Sequence, residues 1–384
     1  MQELAEELRD RGHKVTVATS YPYHNLSGNE KSFHFEKVSV ENGIEVVRIK
    51  TLPSHGVGYL LRGISQLLLP YVFLYHLKRI IKHRVDVVIV YSPPLTLAIT
   101  GGKVKKMNGA RYILNVQDLF PQNAIDLGIL KNKFLIAMFE RIERNVYTRA
   151  DAIAVHSEGN RKFLIEKKGV PSQKISTVHN WIDVEAFKNV QRTGIFRKRY
   201  RLENKFIFLF AGVIGPSQGL DFIIRVAKRL GDFPDICFLI VGDGIESERI
   251  KRLAERYRIE NVYFKPFVSK EEYPLLVRDA DVGLVSLSSK NKTPVVPGKI
   301  LGYMAASLPV LAFLNKESDG HLIIKTAGCG YSAVSDDEEN ACDIIRTIYN
   351  EREKIHCYGE NGFKYVVSNF SKGVCIGNLE KLFS

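Results

Sequence analysis

No two of the five cysteines, Cys237, Cys329, Cys342, Cys357 and Cys375, stand in CxxC spacing, and their number is odd. That argues against a disulfide framework and against a structural zinc site, and it points to a reducing compartment. No H-E-x-x-H or acidic cluster of metal-ligand spacing occurs, so no metal is expected. No G-x-S-x-G surrounds Ser157, which makes this serine a helix N-cap rather than a nucleophile. No uninterrupted apolar run is long enough to span a bilayer, which takes roughly 20 residues. The nearest approach, Tyr59 to Arg84, is broken by Arg62, Gln66, Pro70 and His76. The opening "MQELAEELRDRGHKV" lacks the apolar stretch of a signal peptide. The cytoplasm is therefore the expected compartment.

Acidic residues are also in deficit, 42 against 55 basic ones, and the formal net charge of +13 calls for an anionic partner. The cations are scattered through both halves with acids between them. No basic stripe with interleaved aromatics emerges, so nucleic acid is not the expected partner. In the segment from Tyr59 to Arg84, two readings stay open: a buried helix pair with a cationic end, or a surface resting on anionic lipid through Lys78, Arg79, Lys82 and Arg84.

Short β-branched runs alternate with amphipathic stretches over nearly all of the 384 residues, the mark of parallel sheets built from βα units. The first half offers "KVTVATS", "IEVVRI", "DVVIVYS", "RYILNVQ", "DAIAVHS" and "KISTVHN"; the second offers "FIFLFAG", "CFLIVGD", "NVYFKPF", "VGLVSLS", "LPVLAFL" and "CGYSAV". The fold class is therefore α/β, with two doubly wound domains, over 1–188 and 189–370, and a terminal helix over 371–384 free to pack on either. A helix from Gln2 to Arg11 precedes the first strand candidate with no strand before it, so either this domain departs from the pattern or, as the favoured expectation, its first strand and glycine-rich turn are missing through truncation or a start codon placed too late.

Several turns could carry chemistry. Gly212, Gly215 and Gly219 punctuate the turn after "FIFLFAG", where bare backbone could approach a phosphate, although the spacing is not G-x-G-x-x-G. Asp243 sits in a "GDG" after the next strand, a pattern that also makes an ordinary turn and helix cap, and Phe264 and Phe267 at the end of the one after that either pack the core, the simpler reading for Phe264, or flank a planar base. The stretch "TPVVPGKILGYMAASLPVL" puts Gly298 and Lys299 at a helix start, an arrangement suited to a diphosphate. Helical spacing sets Lys299, Gly302, Tyr303 and Ala306 opposite Ile300, Leu301, Met304 and Ala305. Gly302, costly by about 1 kcal/mol inside a helix, then admits either a ligand or a close packing partner. In the first half, Asp118 is the candidate catalytic carboxylate, at the carboxyl end of a strand. His156 and His179 read as packed residues.

Taken in order, "RGHKVTVAT", "YSPPLTLA", "DLFPQNAIDLGIL", "ADAIAVHSEGNRKFLIEKKGVPSQKISTVHNWID", "GVIGPSQGLDFII", "VGDG" and "PGKILGYMAASLPV" resemble the retaining glycosyltransferases of family 4, of GT-B architecture. The likeness is closest to the bacterial branch that includes N-acetylfucosaminyl transferases of O-antigen and capsule synthesis. It implies two Rossmann-like domains facing a cleft, a nucleotide sugar, UDP-linked, on the second domain, and a lipid-linked saccharide acceptor on the first. It also implies peripheral association with the inner face of the cytoplasmic membrane and no cofactor beyond the nucleotide-sugar substrate. In the family, the departing diphosphate helps take the acceptor's proton. The donor site carried over comprises Gly215, Gln218, Gly219, Asp243, Phe267, Gly298, Lys299, Tyr303, Glu317 and Asp319, with Ser318 between the last two. Where many relatives hold two glutamates eight positions apart, this chain has Pro294 and Gly302, and Gln218 replaces the family's lysine. The rival reading is a GT-B-shaped binding protein without catalysis, or a fragment.

Overall fold

A computed structural model describes residues 1–21, 35–52 and 59–384, without the side chains of 59–62. The first domain opens with the helix Gln2–Asp10 and a three-stranded sheet of order β1-β3-β2, with β1 Thr16–Ser20, β2 Val38–Glu41 and β3 Ile44–Ile49. β2 answers to none of the strand candidates. It pairs antiparallel with β3 across Asn42 and Gly43, both at positive φ (49° and 75°). That is the backbone of a two-residue hairpin turn, which an Asn-Gly pair adopts readily.

Four parallel strands follow in the order β4-β5-β6-β7, with β4 Val87–Ser92, β5 Arg111–Val116, β6 Ala152–Val155 and β7 Ile175–Thr177. No strand among the described residues joins β1 to β4, so the sheet of this domain is in two pieces. Between them runs an apolar cavity of about 630 Å3, lined by Leu8, Val17, Phe73, Leu77, Val88 and Val90 among others.

The second domain is one six-stranded parallel sheet of order β10-β9-β8-β11-β12-β13. Its strands are β8 Phe206–Ala211, β9 Ile236–Val241, β10 Val262–Lys265, β11 Val282–Ser286, β12 Val310–Leu314 and β13 Gly330–Val334. Strand β8 is buried throughout and alternates its cargo: Phe206, Phe208 and Phe210 enter one core, Ile207, Leu209 and Ala211 the other. Helices cover both faces, which is why these strands read as continuous apolar runs. The chain order reverses around β8, and the carboxyl ends at such a switch point are where α/β sheets hold ligands.

The end of the chain returns to the first domain. Leu4 and Leu8 share a core with Ile376 and Leu379, and Glu380 pairs with Arg11 (3.2 Å) and His13 (2.6 Å). At the crossing, the Ile182 amide donates to the Phe370 carbonyl at 3.0 Å. Among the described residues, no helix is long and apolar enough to cross a membrane.

Candidate functional site

Lys299 lies in the first turn of the helix Gly298–Ala305 and reaches back over the end of β8. Its Nζ donates to Oε1 of Gln218 at 2.9 Å and stands 4.6 Å from the centroid of the Phe210 ring. No carboxylate among the described residues pairs with it. Burial pushes its ammonium pKa down to about 8, the cost of holding a cation away from water with only neutral partners. The first amides of the same helix, those of Gly298 and Lys299, find no acceptor among the described residues, and a Cβ on Gly298 would meet nothing within 4 Å. A desolvated cation and free helix N–H groups thus open on the same side, an arrangement that favours an anion.

The turns around Lys299 use glycine for two different reasons. At Gly219 (φ 58°) a Cβ would come within 2.9 Å of the Ser288 Cα, so this residue lets the turn after β8 press against the strand end beyond β11. Gly212 (φ 142°) faces the lysine stem itself, with Lys299 Cε at 2.8 Å from where a Cβ would be. The turns after β8 and β9 are laced together: Gly212 N–H donates to Val241 O (2.9 Å) and Ile214 N–H to Asp243 O (2.8 Å). The "GDG" glycines serve that lacing, since a Cβ on Gly242 would overlap the Gly212 carbonyl. Asp243 is exposed and accepts from its own neighbour, the Gly244 amide, at 2.7 Å. Gly215 is extended and unobstructed at the start of the short 3-10 turn Pro216–Gln218.

Tyr303 is not where the helical spacing places it. It is fully buried, accepts from the Ala211 amide (3.1 Å) and donates to the Leu209 carbonyl (2.9 Å), with its ring packed against Gly283. A ligand has no access to it, so Tyr303 supports the end of β8 instead of touching a donor. Gly302 is buried as well, and a Cβ there would meet the Tyr273 hydroxyl at 3.1 Å. The interior glycine makes room for a side chain. The helix is buried on nearly every side beyond Lys299, which is why periodicity could not separate a ligand face from a core face.

Further candidates lie at neighbouring strand ends. Phe267, 54% exposed, stands just past β10, whereas Phe264 packs in the core. Glu317 is exposed and accepts from the Asn315 side chain at 3.2 Å. Ser318 donates to the Val295 carbonyl and belongs to the scaffold of the loop. Asp319 reaches the other domain: its Oδ2 accepts from the Gly159 amide at 2.7 Å, at the start of the helix Glu158–Lys168. A second bridge, the Lys292 amide to Asp126 Oδ2 at 3.2 Å, joins the same two domains.

On the first domain, Asp118 follows β5. It is exposed, yet desolvation by the surrounding protein raises its carboxyl above the ordinary value. No cation among the described residues pairs with it. His156, at the end of β6, is buried, and burial first, then His179, pushes it down to about 4, so it stays neutral near pH 7. Sequence reasoning did not single out Phe210 or Gly159. Phe210 had a signal, as the last large residue of an alternating strand; Gly159 had none, because its partner lies 160 positions away.

Residues 1–181 match the family model described as a glycosyl transferase 4-like domain, and residues 192–365 the one described as glycosyl transferases group 1. The chain belongs to the glycosyltransferases. It is 27% identical over 312 residues to an Escherichia coli (strain K12) protein bearing the name colanic acid biosynthesis glycosyl transferase WcaI, covering 79% of this chain and 76% of that one. A Pseudomonas aeruginosa protein bearing the name glycosyltransferase WbjE is 26% identical over 289 residues, covering 75% and 72%. In fold, this glycosyltransferase superposes on Anabaena HepE solved with UDP-glucose, with a TM-score of 0.72 at 16% identity, covering 99% of this chain and 93% of that one. It superposes on WaaG, a glycosyltransferase involved in lipopolysaccharide biosynthesis, with a TM-score of 0.68 at 17% identity, covering 100% and 93%. The architecture is GT-B.

Proposed function

We propose that the chain moves a hexosyl or N-acetylhexosaminyl residue from a UDP-linked donor to a lipid-linked saccharide in the synthesis of a bacterial surface polysaccharide, with retention at the anomeric carbon. The observation that carries the donor side is Lys299, a half-buried cation with no carboxylate partner among the described residues, beside helix amides without an acceptor there. HepE, of the same fold, binds UDP-glucose, which supports a UDP-linked donor. The polysaccharide context draws on the names of WcaI and WaaG. The likeness to the N-acetylfucosaminyl branch supports an N-acetylated deoxysugar.

In this reaction the bond between the anomeric carbon and the diphosphate oxygen breaks, leaving its electron pair on the diphosphate. The acceptor hydroxyl oxygen bonds to the same face, and its proton goes to the departing diphosphate. The protein's task is to stabilise negative charge on that leaving group, which Lys299 and the amides of Gly298 and Lys299 are placed to do. Gln218 aims the ammonium, Phe267 offers a face for the base, and Glu317 reaches toward sugar hydroxyls. Asp118 faces the acceptor side, and the enzyme works in the cytoplasm at the inner membrane face.

The test is thermal unfolding with UDP and a panel of UDP-sugars. A ligand at 100 times its Kd stabilises by about 2.7 kcal/mol. Lys299→Ala should remove most of that shift and lower turnover with it. A wild-type chain indifferent to every nucleotide sinks the donor site, while binding without release of UDP in the presence of acceptor favours the non-catalytic reading.

A further inference from the structure

Two carboxylates cross between the domains, one in each direction. Asp319 of the second domain accepts from the Gly159 amide of the first at 2.7 Å, and Asp126 of the first accepts from the Lys292 amide of the second at 3.2 Å. Both are hydrogen bonds to an ion, which are stronger than those between neutral groups. Neither carboxylate pairs with a cation among the described residues, so each directs its charge at the backbone of the other domain.

The seats are shaped for these bonds. At the start of the helix Glu158–Lys168, Ser157 Oγ accepts from the Asn160 amide at 3.1 Å and leaves the Gly159 amide to Asp319, which completes the cap at the positive end of the helix. A Cβ on Gly159 would stand 2.6 Å from either carboxylate oxygen of Asp319 and 2.7 Å from Pro294 Cβ, so the bare backbone is what admits the approach. The loop that carries Asp319 is pinned in turn. Asn315 Nδ2 donates to the Thr293 carbonyl at 3.1 Å, and the Ser318 hydroxyl to that of Val295. Asp126 ends the helix Gln122–Asp126, where Gln122 Nε2 donates to its Oδ1 at 2.8 Å and leaves Oδ2 for Lys292.

We propose that Asp126 and Asp319 are positioning residues for the transfer, acting as one clamp that holds the acceptor side against the donor side. The bridges are placed for this. Asp126 closes the segment 118–126, which begins at Asp118, and Lys292 opens the segment 292–299, which leads through Pro294 to Lys299. Holding two reactants in register is worth several powers of ten in rate, and a shift of about 1 Å forfeits up to a hundredfold of it. Asp319 then serves the Gly159 amide and not a sugar hydroxyl. The inference rests on the reading of Lys299 as the donor side and Asp118 as the acceptor side.

Amide hydrogen exchange of the full chain tests the clamp without turnover. Asp319→Ala should speed exchange at Gly159 by about tenfold to a hundredfold, the loss of a hydrogen bond to an ion, and should also speed exchange at Lys292, because one clamp holds both. Asp126→Ala should do the same in reverse. Asp319→Asn keeps an oxygen that can accept from Gly159, so it should stay nearer to wild type than Asp319→Ala. Turnover is read as UDP released from the UDP-sugar that stabilises wild type most, with an extract of bacterial lipid-linked saccharides as acceptor. Asp126→Ala should keep the wild-type UDP shift and lower kcat about tenfold or more. Exchange at Lys292 that ignores Asp319→Ala, or a kcat that ignores Asp126→Ala, overturns the clamp. So does a loss confined to Asp319→Ala in which the UDP-sugar binds more weakly while UDP does not, since that makes Asp319 a ligand of the sugar. A wild-type chain indifferent to UDP would instead strike the donor reading, and exchange at Gly159 and Lys292 would still decide whether the two bridges act as one.

Discussion

Replacing Lys299 by methionine should make the protein more stable and less able to bind its donor. The ammonium pKa falls from an ordinary value of 10.5 to about 8, because burial disfavours the charged form. That displacement corresponds to about 3 kcal/mol of unfavourable free energy while the lysine is charged. The Gln218 hydrogen bond and the Phe210 ring return about 1–2 kcal/mol. Methionine fills similar space without the charge, so Lys299→Met should stabilise the ligand-free chain by about 1–2 kcal/mol near pH 7. The sign with pH follows from the depressed value. Between about pH 8 and 10.5 the unfolded lysine is protonated and the folded one is not, so wild-type stability rises with pH over that window. The advantage of the methionine variant is then full below pH 8 and fades above it.

Urea unfolding of both proteins between pH 6.5 and about 10 reads this directly. Titration with UDP adds the functional half: a diphosphate restores the charged lysine, so wild-type affinity should weaken as pH rises above about 8. A methionine variant less stable than wild type at neutral pH, or a gap independent of pH, would refute the idea of a cation kept at a cost for its ligand.

Gly219→Ala should destabilise by about 2 kcal/mol or more, since the residue is at φ 58° and a Cβ meets Ser288 backbone. Gly302→Ala should stay within about 1 kcal/mol of wild type, its helix gain offsetting a small push on Tyr273, and UDP affinity should not change; thermal melts with and without UDP separate the two glycines. Tyr303→Phe removes one hydroxyl that serves Ala211 and Leu209 and should cost about 1–2 kcal/mol with little effect on the UDP shift; a selective loss of UDP binding would return Tyr303 to the site. If Asp118 works as a carboxylate, transfer should decline toward acid pH at a value above that of an ordinary aspartate, and Asp118→Asn should lower kcat and flatten that limb of the pH profile. Gly159→Ala inserts a Cβ 2.6 Å from the Asp319 carboxylate and 2.7 Å from Pro294 Cβ; it should part the domains there, seen as a larger radius of gyration in small-angle scattering.

The two domains were legible because fully buried parallel strands leave continuous apolar runs. "FIFLFA" and "CFLIV" cannot be taken for surface segments, and they became β8 and β9. β2 went unread although "VENGIE" carries the Asn-Gly turn that makes it, since a strand of four largely exposed residues has little apolar pattern. Lys299 drew attention from local chemistry alone, a cation at a helix start, and its place in a donor site is the reading proposed above. Tyr303 was misplaced for a physical reason: a helix buried all round has no polar face for periodicity to find. The contact of Asp319 with Gly159 between the domains and that of Glu380 with Arg11, which docks the chain's end on the first, span 160 and 369 positions, and nothing near either end announces them. What local sequence could not disclose is thus the closure of one domain on the other. Lys299 differs in that its local signal, a cation at a helix start, and the absence of a carboxylate partner among the described residues both support the proposed donor site. A half-buried cation with no carboxylate partner among the described residues costs stability, and under the proposed function that cost is offset when the donor's diphosphate binds.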